Sequence, residues 1–279
     1  MSTPFIYAFA DEAASKVSDQ IEAMRRNGLS GLEIRSVDGT NIADITMDKA
    51  REVRRMMDDA GLTVFSMGSP IGKIGIADGD FAAHMDKLRH VLELADVLGA
   101  KNLRMFSFYM PGGDAAPWRQ KVIDQVGAML QAAEGTGVTL CHENEKGIYG
   151  DMAVRCRELL DLFPALSNVF DPANYIQCGQ DTLQAWALLA DRTRYLHIKD
   201  ALADGHVVPA GKGIGHVQEI VRDFIARGGQ HMTIEPHLTV FAGLKDLERA
   251  GEATAIDPYS YPSSGAAFDA ACHALRALL

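Results

Sequence analysis

The sequence has few cysteines and no segment typical of export or of membrane insertion. Its four cysteines, Cys141, Cys156, Cys178 and Cys272, form no Cys-x-x-Cys pair, which argues against a disulfide scaffold and against a zinc finger. No apolar run approaches the roughly 20 residues that cross a bilayer. The first residues lack a basic segment followed by an apolar one. These absences predict a cytoplasmic protein without a membrane partner.

Positive charge is also scarce. Lys and Arg number 27 against 37 Asp and Glu, which gives a formal net charge of -10 at pH 7. A chain this acidic has no general attraction for phosphate backbones, so no nucleic-acid partner is expected. No Gly-x-Gly-x-x-Gly motif follows the first predicted strand, where residues 9–13 read Phe-Ala-Asp-Glu-Ala, so no nucleotide cofactor is expected. The hydrophobic fraction of 47% nevertheless indicates a globular protein.

A unit of amphipathic helix, glycine and short apolar strand recurs along the chain. Gly28, Gly61, Gly99 and Gly137 stand between a helical segment and a run of β-forming residues, and glycine can close a helix in the left-handed conformation. The predicted strands are 5–10, 31–36, 63–68, 102–107, 138–143, 167–171, 194–199 and 232–236, and 264–279 is the last predicted helix. Eight strand–helix pairs predict an α/β protein whose residues 1–279 form one (β/α)8 TIM barrel, with eight parallel strands inside an outer helix ring. A doubly wound sheet would show a similar alternation.

The longest irregular segment is 237–263, which follows the last predicted strand and has no clear periodicity. Connections of this length are uncommon unless they have a function of their own. We therefore expect 237–263 to form a lid over the barrel, a subunit contact, or both.

Four potential metal ligands stand at the ends of the last four predicted strands. Glu143 ends the fifth strand, Asp171 the sixth, His197 the seventh and Glu235 the eighth. In a parallel barrel the carboxyl ends of all strands meet at one rim, where the active sites of such barrels lie. Three carboxylates so close together repel one another unless a cation lies between them. The pattern predicts one divalent cation bound by these four side chains.

Three carboxylates and one imidazole suit Mn²⁺, Mg²⁺ or Co²⁺, whereas Zn²⁺ usually takes more nitrogen or sulfur ligands. Mn²⁺ is the expected ion, and the other three are alternatives. A six-coordinate ion with four protein ligands keeps open positions that could chelate two oxygens of a sugar or a keto acid. A single Glu or His near a strand end is usually an ordinary loop residue, and a one-residue slip of register would turn any of the four outward.

Short motifs at the strand ends extend this pattern. They are Gly31-Leu32-Glu33-Ile34-Arg35, Glu143-Asn144, Asp171-Pro172-Ala173-Asn174, His197-x-Lys199-Asp200, Val208-Pro209-Ala210-Gly211-Lys212-Gly213 and Ile234-Glu235-Pro236. By these motifs the sequence resembles the xylose isomerase-like TIM-barrel superfamily of sugar phosphate isomerases and epimerases over nearly its whole length. The resemblance implies the same metal quartet at Glu143, Asp171, His197 and Glu235. With the long 237–263 segment, it also implies a homodimer or a homotetramer.

Two segments depart from the family pattern. Residues 67–73 lack the histidine that family epimerases usually carry near the end of the third strand. Residues 211–215 read Gly-Lys-Gly-Ile-Gly, where many relatives have Gly-Glu-Gly and a following Asp. Both departures bear on the substrate more than on the metal. A glycine cluster before a helix could also bind a phosphate through its N–H groups, although it more often forms a tight turn.

The candidate residues predict removal of a proton from a carbon next to a carbonyl. The metal would hold the carbonyl and a neighbouring hydroxyl oxygen and stabilise the enediolate. Glu143 and Glu235, at the two ends of the arc, are the candidate base and acid on opposite faces of the substrate. Lys199 is a candidate for proton transfer or for binding a substrate oxygen, with an ion pair at the rim as the alternative. The predicted function is a metal-dependent isomerase or epimerase of a keto-sugar or a related small carbohydrate.

Further substrate contacts are predicted at Glu33, Arg35, Arg104 and His237. The alternative for the first three is a structural salt bridge, because barrels often place charged layers near the mouth. The alternative for His237 is an ordinary loop histidine.

Three other functions share the fold or the site. A lyase would use the same first step and then expel a leaving group, as a dehydratase or a β-eliminase of a 3-oxo-sugar or glycoside. An abasic-site endonuclease would need several zinc ions, more histidine ligands and a basic groove, which the charge of -10 disfavours. A non-catalytic sugar-binding barrel would need no base on either face of its ligand.

Overall fold

A closed barrel of eight parallel strands forms the centre of the molecule. The structure, a computed structural model, describes residues 4–241 and 261–279. The barrel strands are β1 (Phe5–Ala8), β2 (Gly31–Ile34), β3 (Thr63–Met67), β4 (Asn102–Met105), β5 (Thr139–Glu143), β6 (Ser167–Phe170), β7 (Thr193–Ile198) and β8 (His231–Ile234). Their order around the barrel follows the chain, and β1 pairs with both β8 and β2. This confirms the predicted barrel and all eight predicted strands.

Helices surround the barrel on its outer face. They are α1 (Val17–Arg26), α2 (Met47–Ala60), α3 (Phe81–Leu98), α4 (Arg119–Ala133), α5 (Ala153–Leu162), α6 (Pro172–Gln177), α7 (Thr182–Leu189), α8 (Val217–Ala226) and α9 (Ser264–Leu278). Each long helix turns an apolar stripe inward; on α3 the stripe includes Leu88, Val91, Leu92 and Ala95. Within residues 4–241 and 261–279, no helix has both the length and the apolar character needed to cross a membrane.

The predicted lid segment lies mainly outside the described residues. Of 237–263, the structure describes 237–241, which continue from β8, and 261–263, which precede α9. A lid or a subunit contact at this segment stays a prediction.

Glycines take two different roles where helices and strands meet. Gly61 and Gly99 close α2 and α3 with φ of +68° and +75°, as the sequence predicts. Gly31 instead allows two strands to approach each other closely, because a Cβ atom placed there would lie 2.0 Å from the carbonyl oxygen of Thr63. The register of β2 against β3 shifts two residues later, between Leu32 and Glu33.

The loop after β3 is held by a buried histidine on α3. The Gly72 N–H donates a hydrogen bond of 2.7 Å to His84 Nε2, so this nitrogen must be unprotonated. Burial, and secondarily Lys87, lowers the pKa of His84 to about 4. The native structure therefore requires a neutral imidazole at this position.

We expect Gly31→Ala to destabilise the barrel by about 3 kcal/mol or more, because strand backbone would have to move to admit the methyl group. Gly61→Ala is the matched control: its Cβ would meet nothing within 4 Å, so only the cost of the left-handed backbone remains, about 1 kcal/mol. Urea unfolding followed by circular dichroism measures both free energies. Equal losses in the two variants would contradict the close approach at Gly31.

We expect acid to destabilise the native protein through His84. The unfolded chain takes up a proton at this imidazole below about pH 6.5, whereas the folded chain resists protonation until about pH 4. The contribution of His84 is therefore complete above the unfolded pKa and falls as the pH drops, by up to about 1 kcal/mol per pH unit. His84→Gln keeps an acceptor for Gly72 but does not titrate. Urea unfolding from pH 7.5 to 4.5 should show a steeper loss in the wild type than in this variant, and parallel losses would contradict the assignment.

Candidate metal centre

The structure brings the four predicted ligands together at the carboxyl end of the barrel. Glu143 is the last residue of β5, Asp171 and Glu235 directly follow β6 and β8, and His197 is the penultimate residue of β7. One potential ligand atom from each lies within 4.8 Å of those of the other three, and all four residues are buried. The structure thus groups these residues, while their role as ligands stays a prediction.

The distances between the candidate ligand atoms suit a single small cation. His197 Nδ1 lies 2.8 Å from Glu143 Oε1 and 3.5 Å from Glu235 Oε2. Neighbouring ligands of an octahedral ion with bonds near 2.1 Å are about 3 Å apart. Asp171 Oδ2 and Glu143 Oε2 are buried and meet no hydrogen-bond geometry, although each contacts one cation, Lys199 at 2.8 Å and Arg104 at 3.2 Å. Three carboxylates and one imidazole at these separations are a donor set that fits a divalent cation.

Charge accumulates at this centre. Burial raises the pKa of Asp171 to about 7, and Glu235 and Glu143 add to the rise while Lys199 opposes it. Burial opposes the charged form of His197, but Glu143 and Glu33 outweigh it and raise the pKa of His197 well above its usual value. The carboxylates therefore favour a positive charge among them, which a bound cation would supply.

Glu33 lies behind His197, on the side away from the other ligands. It is fully buried, and its Oε2 lies 3.0 Å from His197 Nε2. Ser66 and Tyr195 donate hydrogen bonds of 3.1 and 2.9 Å to its Oε1. Such a carboxylate fixes the ring of a metal-binding histidine, here with Nδ1 toward the candidate centre. Glu33, predicted as a substrate contact, is thus placed beneath the imidazole.

Arg35 lies among three carboxylates from two segments. Its guanidinium contacts Asp11 at 2.9 Å, Glu12 at 3.0 Å and Glu235 at 3.3 Å. His237 Nδ1 lies 3.2 Å from Glu12 Oε1, and the His237 N–H donates to the other oxygen of Glu12. Sequence reasoning missed Asp11 and Glu12, although both stand in the loop that follows β1, at the same rim as the other strand ends.

Arg104 and Lys199 contact the candidate ligands directly. Arg104 Nη1 lies 3.2 Å from Glu143 Oε2. Lys199 Nζ lies 2.8 Å from Asp171 Oδ2 and 2.9 Å from Glu235 Oε2. The ion pairs predicted as alternatives for these two residues are therefore present, and both side chains are within reach of a ligand bound at the centre.

The glycine cluster at 211–215 forms a turn around a buried carboxylate. Asp200 Oδ2 accepts hydrogen bonds from the N–H groups of Gly211 and Gly213, and its Oδ1 accepts one from Gly215. An internal carboxylate thus uses the N–H groups that could have bound a phosphate. This loop is thus the tight turn that the sequence analysis gives as the alternative to a phosphate site.

A cavity of about 450 Å³ lies at the other end of the barrel, among the residues that begin β7 and β8. Its lining includes Asp191, Arg194, Arg227 and His231 but none of the four candidate ligands. The buried charges converge instead at the carboxyl end.

Comparisons with known proteins identify a family and several similar folds. Residues 21–250 match the sequence profile of the family described as "Xylose isomerase-like TIM barrel", and a search of curated proteins finds no match. Similar solved structures include D-allulose 3-epimerase from Methylomonas sp. (14% identity, 100% of this chain and 99% of that chain, TM-score 0.75). The probable 3-DHS dehydratase AsbF from Bacillus anthracis is also similar (14% identity, 98% and 99%, TM-score 0.74). A third is a xylose isomerase-like TIM barrel protein from Mycobacterium smegmatis in complex with magnesium (15% identity, 100% and 98%, TM-score 0.68).

We expect Glu33→Gln to weaken binding of Mn²⁺ by about 10- to 100-fold, the usual effect of losing a carboxylate that orients a ligand. Isothermal titration calorimetry on the metal-free protein measures the dissociation constant without any assay of activity. Glu93→Gln, on the exposed side of α3, removes the same charge far from the strand ends and should leave the affinity unchanged. Equal affinities of the Glu33 variant and the wild type would show that Glu33 does not support a metal ligand.

Proposed function

We propose that this chain, which belongs to the xylose isomerase-like TIM-barrel family, is a divalent-metal-dependent isomerase or epimerase of a keto-sugar or a related small carbohydrate. One observation carries the proposal: Glu143, Asp171, His197 and Glu235 converge in a buried group whose candidate ligand atoms all lie within 4.8 Å of one another. The similar fold of D-allulose 3-epimerase supports a sugar substrate.

The four converging residues would hold the ion, for which Mn²⁺ is our first choice and Mg²⁺, Co²⁺ and Zn²⁺ are alternatives. The similar protein in complex with magnesium supports a divalent ion in this fold. When bound, the ion would polarise the substrate carbonyl and so acidify the C–H bond beside it.

Glu143 and Glu235 are held in place for proton transfer. Arg104 binds the outer oxygen of Glu143, and Arg35 binds that of Glu235, so each carboxylate keeps its second oxygen toward the centre. Burial opposes ionisation of Glu235, but Lys199 and His237 outweigh it and hold the pKa of Glu235 well below its usual value. One carboxylate would remove the proton next to the carbonyl, and the other would return it on the opposite face.

Lys199 is the third group assigned to the reaction. Its ammonium lies between Asp171 and Glu235, and its side chain is 7% exposed. From this position it would donate a hydrogen bond to a substrate oxygen as negative charge develops there. Arg104 and His237 line the same mouth and would orient the sugar.

A lyase is the second candidate, supported by the similar fold of the probable 3-DHS dehydratase. The first step would be the same removal of a proton next to a carbonyl. The outcome would differ if the next carbon carried a leaving group, because the electron pair would then expel water or an aglycone and not recapture a proton.

We expect the Mn²⁺-loaded protein to incorporate deuterium from D₂O into a keto-sugar at the carbon next to the carbonyl. Proton NMR of free ketohexoses and of 3-oxo-glycosides shows which outcome occurs. A deuterated but intact carbon skeleton supports the isomerase or epimerase, whereas loss of water or of an aglycone supports the lyase. An absence of both exchange and products would contradict the proposal.

In the same assay at saturating metal, Glu143→Gln and Glu235→Gln should each lower the exchange rate by about 100-fold or more, because each removes a proton-transfer group. Glu93→Gln again serves as the charge-matched control. Isothermal titration calorimetry with Mn²⁺ shows whether each variant still binds the metal. It therefore distinguishes loss of a proton-transfer group from loss of a metal ligand. Variants that bind metal and exchange at the wild-type rate would exclude these carboxylates from proton transfer.

A further inference from the structure

A lysine–glutamate pair lies at the barrel mouth and has no part in the proposed reaction. Lys73 Nζ lies 3.1 Å from Glu145 Oε2, and the two side chains are 13% and 24% exposed. Lys73 belongs to the loop after β3, and Glu145 stands two residues beyond Glu143 at the end of β5. The pair thus joins two loops at the same end of the barrel as the candidate metal centre.

Phe106 connects this pair to the candidate ligands. Lys73 Nζ lies 4.5 Å from the centre of the Phe106 ring, and the Arg104 guanidinium lies 5.0 Å from the same ring. Arg104 in turn contacts Glu143 at 3.2 Å. Burial opposes the charged form of Glu145, but Lys73 and Lys199 outweigh it and lower the pKa of Glu145, so the pair lies near Lys199 at the candidate centre.

The cations that surround this centre are already paired with carboxylates. Arg35 contacts Asp11, Glu12 and Glu235. Lys199 contacts Asp171 and Glu235. Arg104 contacts Glu143, and Lys73 contacts Glu145. Among the described residues, none of these four cations is left for a phosphate or a carboxylate of a ligand. An anionic group would have to break an existing ion pair.

The charges of the centre also disfavour an anion. Seven carboxylates stand against these four cations; they are Asp11, Glu12, Glu33, Glu143, Glu145, Asp171 and Glu235. With one divalent ion bound and His197 as its neutral ligand, these seven carboxylates and four cations still leave an excess of one negative charge. Like charges placed together at such a site disfavour binding.

We propose that Lys73 and Glu145 together bind hydroxyl groups of a neutral sugar, and that the site therefore discriminates against phosphorylated and carboxylated substrates. The proposal rests on the proposed function in taking a sugar to be the ligand and in placing one divalent ion at the centre. An ammonium donates and a carboxylate accepts, and a hydroxyl group can do both. Neighbouring hydroxyls of a sugar can thus bind the pair without separating it.

Binding to the Mg²⁺-loaded protein tests this inference without turnover. Ligand-observed saturation-transfer NMR is recorded with D-fructose, D-tagatose and D-psicose, and with the 6-phosphate of each. We expect the free sugar of at least one pair to bind about tenfold more tightly than its phosphate, equivalent to about 1.4 kcal/mol. Equal or tighter binding of the phosphate in every pair that binds would overturn the inference, as would a protein that binds none of the six.

Glu145→Gln gives the sharper test, because it releases the ammonium of Lys73 from its partner. The preference for free sugar over phosphate should fall by about tenfold or more, and the added change Lys73→Gln should restore it. Glu52→Gln is the control, since Glu52 pairs with Lys49 at 3.0 Å on the exposed face of α2 and carries the same charge. An unchanged preference in Glu145→Gln would exclude the pair from specificity.

Deuterium exchange separates this inference from the proposed function. Binding of free sugars without exchange would overturn the isomerase proposal and leave the neutral-ligand inference supported. Exchange in sugar phosphates but not in free sugars would support the isomerase and overturn the inference.

Discussion

The mutual repulsion of buried carboxylates at the carboxyl end of the barrel governs the arrangement of the residues around them. Glu143, Asp171 and Glu235 lie within a few ångströms of one another, and an uncompensated buried charge is strongly destabilising. Each of them meets a cation, and each cation comes from the end of a strand: Arg104, Lys199 and Arg35. The barrel supplies these partners because parallel strands deliver all their ends to one rim.

Much of this centre can be predicted from sequence because it depends on strand ends. Apolar runs mark where the strands stop, and the polar residue at each stop is Glu143, Asp171, His197 or Glu235. Their convergence follows once the barrel topology and the register are known. The alternation of strands and helices predicts the barrel, although a doubly wound sheet alternates in a similar way, and the structure supplies the register. The predicted ion pairs of Arg35, Arg104 and Lys199 follow from the same reasoning, since long cations at a carboxylate-rich rim find acidic partners.

The contacts that could not be predicted are those that depend on how far individual side chains reach across the barrel. Glu33 and Tyr195 come from strands β2 and β7, far apart in sequence, and meet at 2.9 Å. Their meeting depends on inward-pointing side chains of different strands and on the register shift in β2 after Leu32. The anion-binding potential of 211–215 is a similar case, because local sequence does not show that Asp200 fills the turn. Strand ends can be located from periodicity, but cross-barrel partners require coordinates.

The charges around Glu235 favour one bound divalent ion over two. Glu12, Glu235 and His237 form a second group with ligand atoms within 4.8 Å of one another, and it shares Glu235 with the first. Arg35 already contacts the two carboxylates of this group, at 3.0 and 3.3 Å. A second divalent ion there would face a guanidinium that is effectively always protonated and would need those same oxygens. The first group also has cations nearby, Lys199 and Arg104, but it offers four candidate ligands where the second offers three. The contacts of Arg35 thus weigh against a second ion at Glu12 and His237 and favour the first group as the single proposed centre.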